Sequence, residues 1–135
     1  MNSNKLKSAE KISIIIRCKN EERWIGYTIQ SILDVIKKPE IVIIDDNSQD
    51  NTLNIVKYFI QDSTLKDNVD SNFTDIKIFN ITDYSPGKSL NLGVKNSTYN
   101  NILIISAHCV LKNINMEKHL KDLNKFVCIF GNQNP

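Results

Sequence analysis

Five short apolar runs, rich in β-branched residues, alternate with helical patterns along the chain and predict five strands. They occupy residues 11–17, 40–45, 75–81, 101–107 and 126–130. Near-continuous apolar runs of this length are typical of strands that are buried on both faces of a sheet. The predicted order is βαβαβαβαβ, which indicates an α/β fold with a Rossmann-like, mainly parallel sheet and helices on both faces.

Apolar residues that recur at three and four positions predict the helices between these strands. The first helix is expected to begin after Asn20, which acts as its N-cap, with Glu21 and Glu22 at its positive end. Trp24 and Tyr27 fit the same helical spacing, which favours packing against the sheet over stacking on a base. The further helices are predicted at about residues 52–61, 89–96 and 115–123.

The length of 135 residues suits one small domain. We expect a flexible tail at residues 1–10, a single domain over residues 11–135 and a polar loop over residues 62–74. The formal net charge of +2 is too mild to indicate a nucleic acid as partner. No apolar run approaches the roughly 20 residues that a membrane-spanning helix needs, which leaves peripheral membrane association open.

The three cysteines are odd in number and form no Cys-x-x-Cys pair. This argues against a disulfide framework and a structural zinc site, and it favours a cytoplasmic location. A homo-oligomer stays open, because an uncovered sheet edge attracts a partner.

Polar residues follow each of the first four strands, and they include two adjacent acids after the second. Because the carboxyl ends of parallel strands meet at one edge, we expect these residues to lie along one rim, where α/β sheets bind ligands. Asp45 and Asp46 are costly to bury, so they are predicted to face a ligand, a metal ion or solvent. The alternative is that Asp46 or Ser48 only caps the following helix. The polar segments are residues 17–20, 45–50, 84–88 and 106–109.

Two further residues of this rim have candidate roles. Lys88 opens a helix after a turn, so its ammonium group and the free backbone N–H groups suit an anion, although a solvated lysine fits equally. A Walker phosphate-binding loop would need a glycine where Thr82 stands, which argues against that motif. His108 follows the fourth strand and is either structural or a ligand for a manganese-like ion.

Three segments together resemble the opening of family 2 glycosyltransferases. Residues 13–22 read SIIIRCKNEE, and residues 43–52 read IIDDNSQDNT, close to that family's Val-Asp-Asp-Gly-Ser-x-Asp-x-Thr pattern. Residues 87–93, GKSLNLG, match its helix pattern Gly-(Arg/Lys)-x-x-Asn-x-Gly. The resemblance covers about residues 11–112 and continues more weakly to residue 133.

The resemblance implies the nucleotide-binding half of an A-type glycosyltransferase fold, a nucleotide-diphospho-sugar donor and inverting glycosyl transfer to a saccharide or lipid-linked acceptor. Asp46 would accept a strong, charge-assisted hydrogen bond from uracil or a similar base. Arg17 and Asn20 would border the nucleoside, and Lys88 would approach the diphosphate or ribose. The implied donor-binding residues are Arg17, Asn20, Glu22, Asp45, Asp46, Ser48, Lys88, Asn91 and Ser106.

The chain departs from the family at its metal site. The metal-binding Asp-x-Asp pattern is replaced here by Ser106, Ala107 and His108. His108 is then the candidate metal residue, or it makes a direct hydrogen bond to phosphate. The loss of two formal charges predicts weak binding of Mg²⁺ and relatively better binding of Mn²⁺ as the divalent cation.

The sequence offers no convincing general base, which attack by an acceptor hydroxyl requires. Family members continue past the position of Pro135 with an acceptor-binding half. We therefore expect a donor-binding half, a fragment or a truncated protein whose own activity is open. The alternatives are a nucleotide-sugar-binding module without catalysis, a P-loop-like phosphate-binding α/β protein and a purely structural α/β domain.

Overall fold

Four strands alternate with four helices in the part of the chain that the structure describes. A computed structural model describes residues 11–62 and 75–132, so the predicted tail and most of the predicted polar loop lie outside it. Within those two ranges, every helix falls short of the length and apolar character that crossing a bilayer requires. The elements are β1 Ile12–Cys18, α1 Ile25–Val35, β2 Glu40–Asp45, α2 Thr52–Asp62, β3 Asp75–Asn80, α3 Pro86–Lys95, β4 Asn101–Ser106 and α4 Met116–Asp122.

The sheet has the strand order β3-β2-β1-β4, and every neighbouring pair is parallel. Strand β1 pairs with β2 on one side, as in Ser13 with Glu40, and with β4 on the other, as in Arg17 with Ser106. The chain adds β2 and β3 on one side of β1 and then places β4 on the opposite side. Such a switch in strand order opens a crevice at the carboxyl ends of β1 and β4. The predicted α/β fold with a parallel sheet is confirmed.

Strand residues alternate between two apolar layers, one on each face of the sheet. On one face, Ile14 and Ile16 of β1 are fully buried against α1, α2 and α4. On the other face, Ile15 packs with Val42 and Ile44 and against α3. Each fully buried isoleucine contributes about 1.5–3 kcal/mol. Helices therefore cover both faces of the sheet, as predicted.

Helix α3 approaches the sheet closely at Gly93. A Cβ atom on Gly93 would lie 2.6 Å from Cγ2 of Ile15, which is too short for a contact between two carbon atoms. A larger residue would therefore displace the Ile15 side chain or lift α3 from the sheet. The absence of a side chain at Gly93 sets how near α3 lies to β1.

A buried carboxylate joins the amino ends of three strands, at the edge opposite the crevice. Glu40 is 2% exposed and accepts hydrogen bonds from the hydroxyl of Ser13, from Lys77 Nζ at 2.5 Å and from Thr98 N at 2.8 Å. Burial raises the pKa of Glu40, but the hydrogen bonds from Lys77, Ser13 and Thr98 outweigh it and lower that pKa from 4.5 to about 2. This network fixes strand register and satisfies the buried charge.

The first helix begins later than predicted. Helix α1 starts at Ile25, its N-cap residue Trp24 makes no side-chain capping bond, and Trp24 is 50% exposed. The predicted cap, Asn20, instead has a φ of 54° and accepts a hydrogen bond from Gln49 N. The prediction that Asn20 caps α1 is therefore wrong, since a turn over residues 21–24 precedes the helix. The prediction that Trp24 and Tyr27 pack on the sheet is also wrong, since Tyr27 is 67% exposed as well.

The predicted fifth strand is also wrong. Residues 126–130 follow α4 without forming a strand, and Val127 and Phe130 are 101% and 88% exposed. An apolar run becomes a strand only where its backbone pairs with a neighbouring strand, and residues 126–130 do not pair with β4, the edge strand on this side of the sheet. The apolar pattern alone could not show whether these residues pair with the sheet.

Candidate functional site

The segments that follow β1 and β2 are hydrogen-bonded to each other along the carboxyl edge of the sheet. We call residues 19–24 the β1 loop and residues 46–51 the β2 loop. Asn20 N donates to Ser48 Oγ at 2.9 Å, and Gln49 N donates to Asn20 Oδ1 at 2.8 Å. Asn20 thus both donates to and accepts from the β2 loop, which fixes the two loops in register.

A second set of contacts ties the β1 loop to the start of α2. Glu21 N donates to Thr52 Oγ1 at 2.7 Å, and Glu22 N donates to Asp50 Oδ2 at 3.0 Å. Asn51 N in turn donates to Glu22 Oε2 at 3.0 Å. Although burial raises the pKa of Asp50, hydrogen bonds from Thr52 and Glu22 lower it below its usual range. Asp50 therefore acts as a charged acceptor that orders both loops.

The two adjacent acids have different environments. Asp45 is 1% exposed and accepts from Ser48 N at 3.0 Å, from Ser48 Oγ at 2.5 Å and from Cys18 Sγ at 3.5 Å. Burial and the neighbouring Asp45 raise the pKa of Cys18 well above its usual range, so this thiol stays protonated. Asp46 reaches the surface, where its Oδ2 lies 2.9 Å from Lys19 Nζ. Asp46 alone of the pair offers a carboxylate to a ligand.

Cationic side chains lie on the same edge. Arg17 Nη1 donates to the hydroxyl of Tyr84 at 3.3 Å, and Arg17 is the register partner of Ser106, the last residue of β4. Lys88, in the first turn of α3, pairs with Asp83 and is mostly exposed. Helix N-termini carry free N–H groups and partial positive charge, so this end of α3 suits an anion. Asn91 is exposed one turn further along α3.

His108 lies in a turn directly after β4, across the crevice from the β1 loop. Cys109 N donates to Ser106 O at 3.1 Å to close this turn. His108 Nδ1 lies 3.0 Å from Glu21 Oε1, and the two side chains are 59% and 22% exposed. Since the β1 loop is also bonded to the β2 loop, His108 and Asp46 belong to one continuous rim, as the sequence predicted.

The rim does not form a metal cage from protein side chains alone. Within residues 11–62 and 75–132, no three histidine, cysteine or acidic residues cluster as a cation would require. His108 offers a single imidazole ligand. Mg²⁺ and similar ions are often held by one or two protein ligands together with substrate phosphates. The residues present therefore fit only an ion that arrives with a diphosphate, to which His108 would offer one imidazole nitrogen.

Sequence reasoning placed Lys19 and Tyr84 in the rim segments without naming their partners, and it missed Glu21, which it assigned to the start of a helix. Lys19, Glu21 and Tyr84 contact Asp46, His108 and Arg17 respectively, across separations of 27, 87 and 67 residues. Local patterns carry no signal for such pairs. Only the expected convergence of strand ends pointed to them.

This chain is similar in sequence and in fold to known proteins. The family model for "Glycosyl transferase family 2" matches residues 13–133. Poly-beta-1,6-N-acetyl-D-glucosamine synthase from Staphylococcus epidermidis is 31% identical over 103 residues, which cover 76% of this chain and 23% of that protein. The chain therefore spans about a quarter of the length of the curated relatives it matches.

Two solved structures share the fold. Residues 1–349 of S. aureus TarS superpose with a TM-score of 0.61 at 25% identity, covering 87% of this chain and 32% of that one. The mannosyltransferase PcManGT from Pyrobaculum calidifontis, in complex with GDP-Man and Mn²⁺, gives a TM-score of 0.67 at 16% identity, covering 91% and 34%. Together with the four-stranded sheet and its interlocked rim, the family match places this chain in glycosyl transferase family 2.

Proposed function

We propose that this chain binds a nucleotide-diphospho-sugar at the carboxyl edge of its sheet, as the donor for inverting glycosyl transfer to a saccharide or lipid-linked acceptor. The observation that carries the proposal is the interlocking of the β1 and β2 loops around Asp46, the acid that stays at the surface while Asp45 is buried. A relative, TarS, has been solved in complex with UDP.

Asp46 is proposed to accept a hydrogen bond from a ring N–H of the base. A carboxylate acceptor makes such a bond strong. Lys19 forms an ion pair with that carboxylate in the structure. An ion pair with an exposed lysine is weak, so a ligand can replace Lys19 there. Asn20, Glu22, Asp45 and Ser48 contribute by holding the two loops in shape, since their polar atoms bond within the loops.

The diphosphate is proposed to lie between β1 and the start of α3. Arg17 supplies a planar cation, and Lys88 adds a second cation at a helix N-terminus. Ser106 and Asn91 would contribute neutral hydrogen bonds from neighbouring positions on this edge. A divalent cation, Mn²⁺ in preference to Mg²⁺, would neutralise charge on the diphosphate, with His108 as its protein ligand.

The coverage of about a quarter of the relatives' length favours a second candidate function. Attack on a sugar requires a base next to the acceptor hydroxyl. The chain on its own is then a donor-binding module that lacks an acceptor-binding site and a general base, so it binds the donor without turnover. Release of nucleoside diphosphate from donor, with and without a saccharide acceptor, separates the two functions. We extend the proposal to a cytoplasmic location, since all three cysteines are free thiols.

A thermal-shift screen of UDP, GDP, CDP and ADP, with and without Mn²⁺, tests the proposal. At a concentration a hundredfold above Kd, a bound nucleotide stabilises the fold by about 2.7 kcal/mol, which is readily measured. We expect stabilisation by UDP or GDP, enhanced by Mn²⁺ and no longer enhanced in His108→Ala. The absence of any shift with all four nucleotides would overturn the proposal, and an ADP preference would favour a different phosphate-binding protein.

A further inference from the structure

The contact between Glu21 and His108 decides what His108 presents to the crevice. We propose that Glu21 is a positioning residue that holds neutral His108 as the tautomer with the proton on Nδ1, so that the lone pair of Nε2 is free for a divalent cation. This inference rests on the proposed function for its ligand. For the neutral ring it also selects between two roles, because an unprotonated Nε2 accepts a cation but cannot donate a hydrogen bond to phosphate.

The chemistry of the pair dictates the tautomer. Glu21 Oε1 lies 3.0 Å from His108 Nδ1, and a carboxylate oxygen can only accept. Nδ1 must therefore carry the proton. Histidines that bind metals usually donate their other ring N–H to a carboxylate or carbonyl, which fixes the ring and raises the basicity of the ligating nitrogen. The arrangement of Glu21 and His108 matches that pattern.

The histidine is anchored through the backbone beside it. Thr28 Oγ1, on the first turn of α1, donates to Ala107 O at 2.7 Å, and Thr28 is fully buried. The turn itself is closed by the bond from Cys109 N to Ser106 O. His108 thus projects from a fixed point of the crevice.

The glutamate is equally well anchored. Glu21 N is bonded to Thr52 Oγ1, and Glu21 O accepts from Trp24 N at 3.0 Å and from Ile25 N at 2.9 Å. The carboxylate is the less exposed partner, at 22% against 59% for the imidazole. Both backbones are held by other contacts, so the pair is not needed to hold the loops together. Its removal should therefore change the imidazole more than the fold.

Nuclear magnetic resonance of the nucleotide-free chain tests the tautomer directly. Long-range ¹H–¹⁵N spectra distinguish the two tautomers, at a pH where the imidazole is neutral. The chain has two histidines, so a His119→Gln variant assigns the signals. We expect Nδ1–H in the unaltered chain and a shift toward Nε2–H in Glu21→Ala. A proton on Nε2 in the unaltered chain, or a spectrum unaffected by Glu21→Ala, would overturn the inference.

Mn²⁺ titrations of the complex with UDP or GDP test the consequence. We expect Glu21→Ala to weaken Mn²⁺ binding about tenfold or more, the usual effect of removing such a carboxylate. Glu21→Gln should retain more affinity, because its amide oxygen still accepts from Nδ1. In a chain that already carries His108→Ala, adding Glu21→Ala should not weaken Mn²⁺ binding any further. Asp34→Ala, which removes an exposed carboxylate on α1, serves as the matched control and should leave Mn²⁺ affinity unchanged.

The two measurements distinguish a failure of the proposed function from a failure of the positioning role of Glu21. If no nucleotide binds any variant, the proposed function is wrong, while the tautomer spectra still decide the role of Glu21. If nucleotide binds and Glu21→Ala leaves Mn²⁺ affinity intact, the positioning role is wrong and donor binding stands. A merely structural pair would lower Tm without changing either the tautomer or the Mn²⁺ affinity of the folded protein.

Discussion

The hydroxyl of Thr52 accepts a hydrogen bond from Glu21 N at 2.7 Å and donates one to Asp50 Oδ1 at 2.5 Å. Thr52 is fully buried, so this hydroxyl joins the β1 loop to the start of α2 inside the protein. In the segment Asp-Asp-x-Ser-x-Asp-x-Thr, the last three named positions are Ser48, Asp50 and Thr52, and their hydrogen bonds build the rim. Among its acids, Asp46 pairs with the exposed side chain of Lys19, whereas Asp45 and Asp50 accept backbone hydrogen bonds within the rim.

Replacing Thr52 with valine should therefore destabilise the fold. The change keeps the shape but leaves Glu21 N without its buried acceptor and removes one of the hydrogen bonds to Asp50, which costs about 1–3 kcal/mol. Urea denaturation measures the loss. Thr52→Ser keeps the hydroxyl and removes only a methyl group, at about 1 kcal/mol. A valine variant as stable as the serine variant would contradict the role of this hydroxyl.

Asp46→Asn should weaken nucleotide binding without harming the fold. An amide replaces a charge-assisted bond with a neutral one, which is worth about 1–3 kcal/mol in binding free energy. The unfolding free energy should hardly change, because the side chain of Lys19 is exposed and an ion pair with an exposed lysine stabilises a fold only weakly. Calorimetry with UDP or GDP measures the affinity. Asp34→Asn makes the same charge change elsewhere, and an equal loss there would show that only net charge matters.

The buried Glu40 predicts how stability depends on pH. Its pKa falls from 4.5 in the unfolded chain to about 2 in the fold, so the folded state binds its proton less readily. The contribution, about 3 kcal/mol, is fully present above about pH 4.5 and is lost as the pH falls toward 2.

Denaturation curves recorded at neutral and acidic pH measure this contribution. Glu40→Gln should be less stable at neutral pH and should lose the part of the acid dependence that Glu40 supplies. Asp75→Asn removes the more exposed acid that also pairs with Lys77, and it should retain that dependence. Equal pH profiles for the two variants would show that Glu40 is not the responsible group.

Gly93→Ala should also destabilise the protein. The added Cβ would lie 2.6 Å from Ile15 Cγ2, and overpacking of this kind typically costs about 1–3 kcal/mol. Gly87 offers a matched control in the first turn of the same helix, since a Cβ there meets no atom within 4 Å. Gly87→Ala should be neutral or slightly stabilising. Thermal unfolding of the two variants should rank them in that order, and the reverse order would refute the close approach.

Local patterns were sufficient for the four strands that form, because each is a run of mostly apolar residues, and β1 and β2 are buried almost throughout. Strands β1 and β2 end within a residue of where the apolar pattern ends, and Ser85 caps α3 through its bond from Lys88 N. The failures came where distant residues intervene. Asn20 precedes two glutamates as a helix cap would, yet its side chain accepts from a residue 29 positions away.

The rim was predictable in outline and not in detail. Strand ends converge in a parallel sheet, so the placement of Asp46 and His108 on one rim could be expected. Which of two adjacent acids is buried could not, because it depends on the hydrogen bonds that Ser48 directs to Asp45. Two asparagines, Asn20 and Asn47, have φ of 54° and 53°, and asparagine tolerates this left-handed conformation well. Their position in the two loops was a usable signal.

The strand order has a consequence for how the molecule assembles. Strand β1 is synthesised first, and its neighbour β2 follows soon after. Its other neighbour, β4, is synthesised only after β3 and α3. Contacts between residues as far apart as Glu21 and His108, 87 positions, close late and slow the search for the native state. The ligand cleft should therefore be the last region to order during folding, and a nascent chain released before β4 would have no cleft at all.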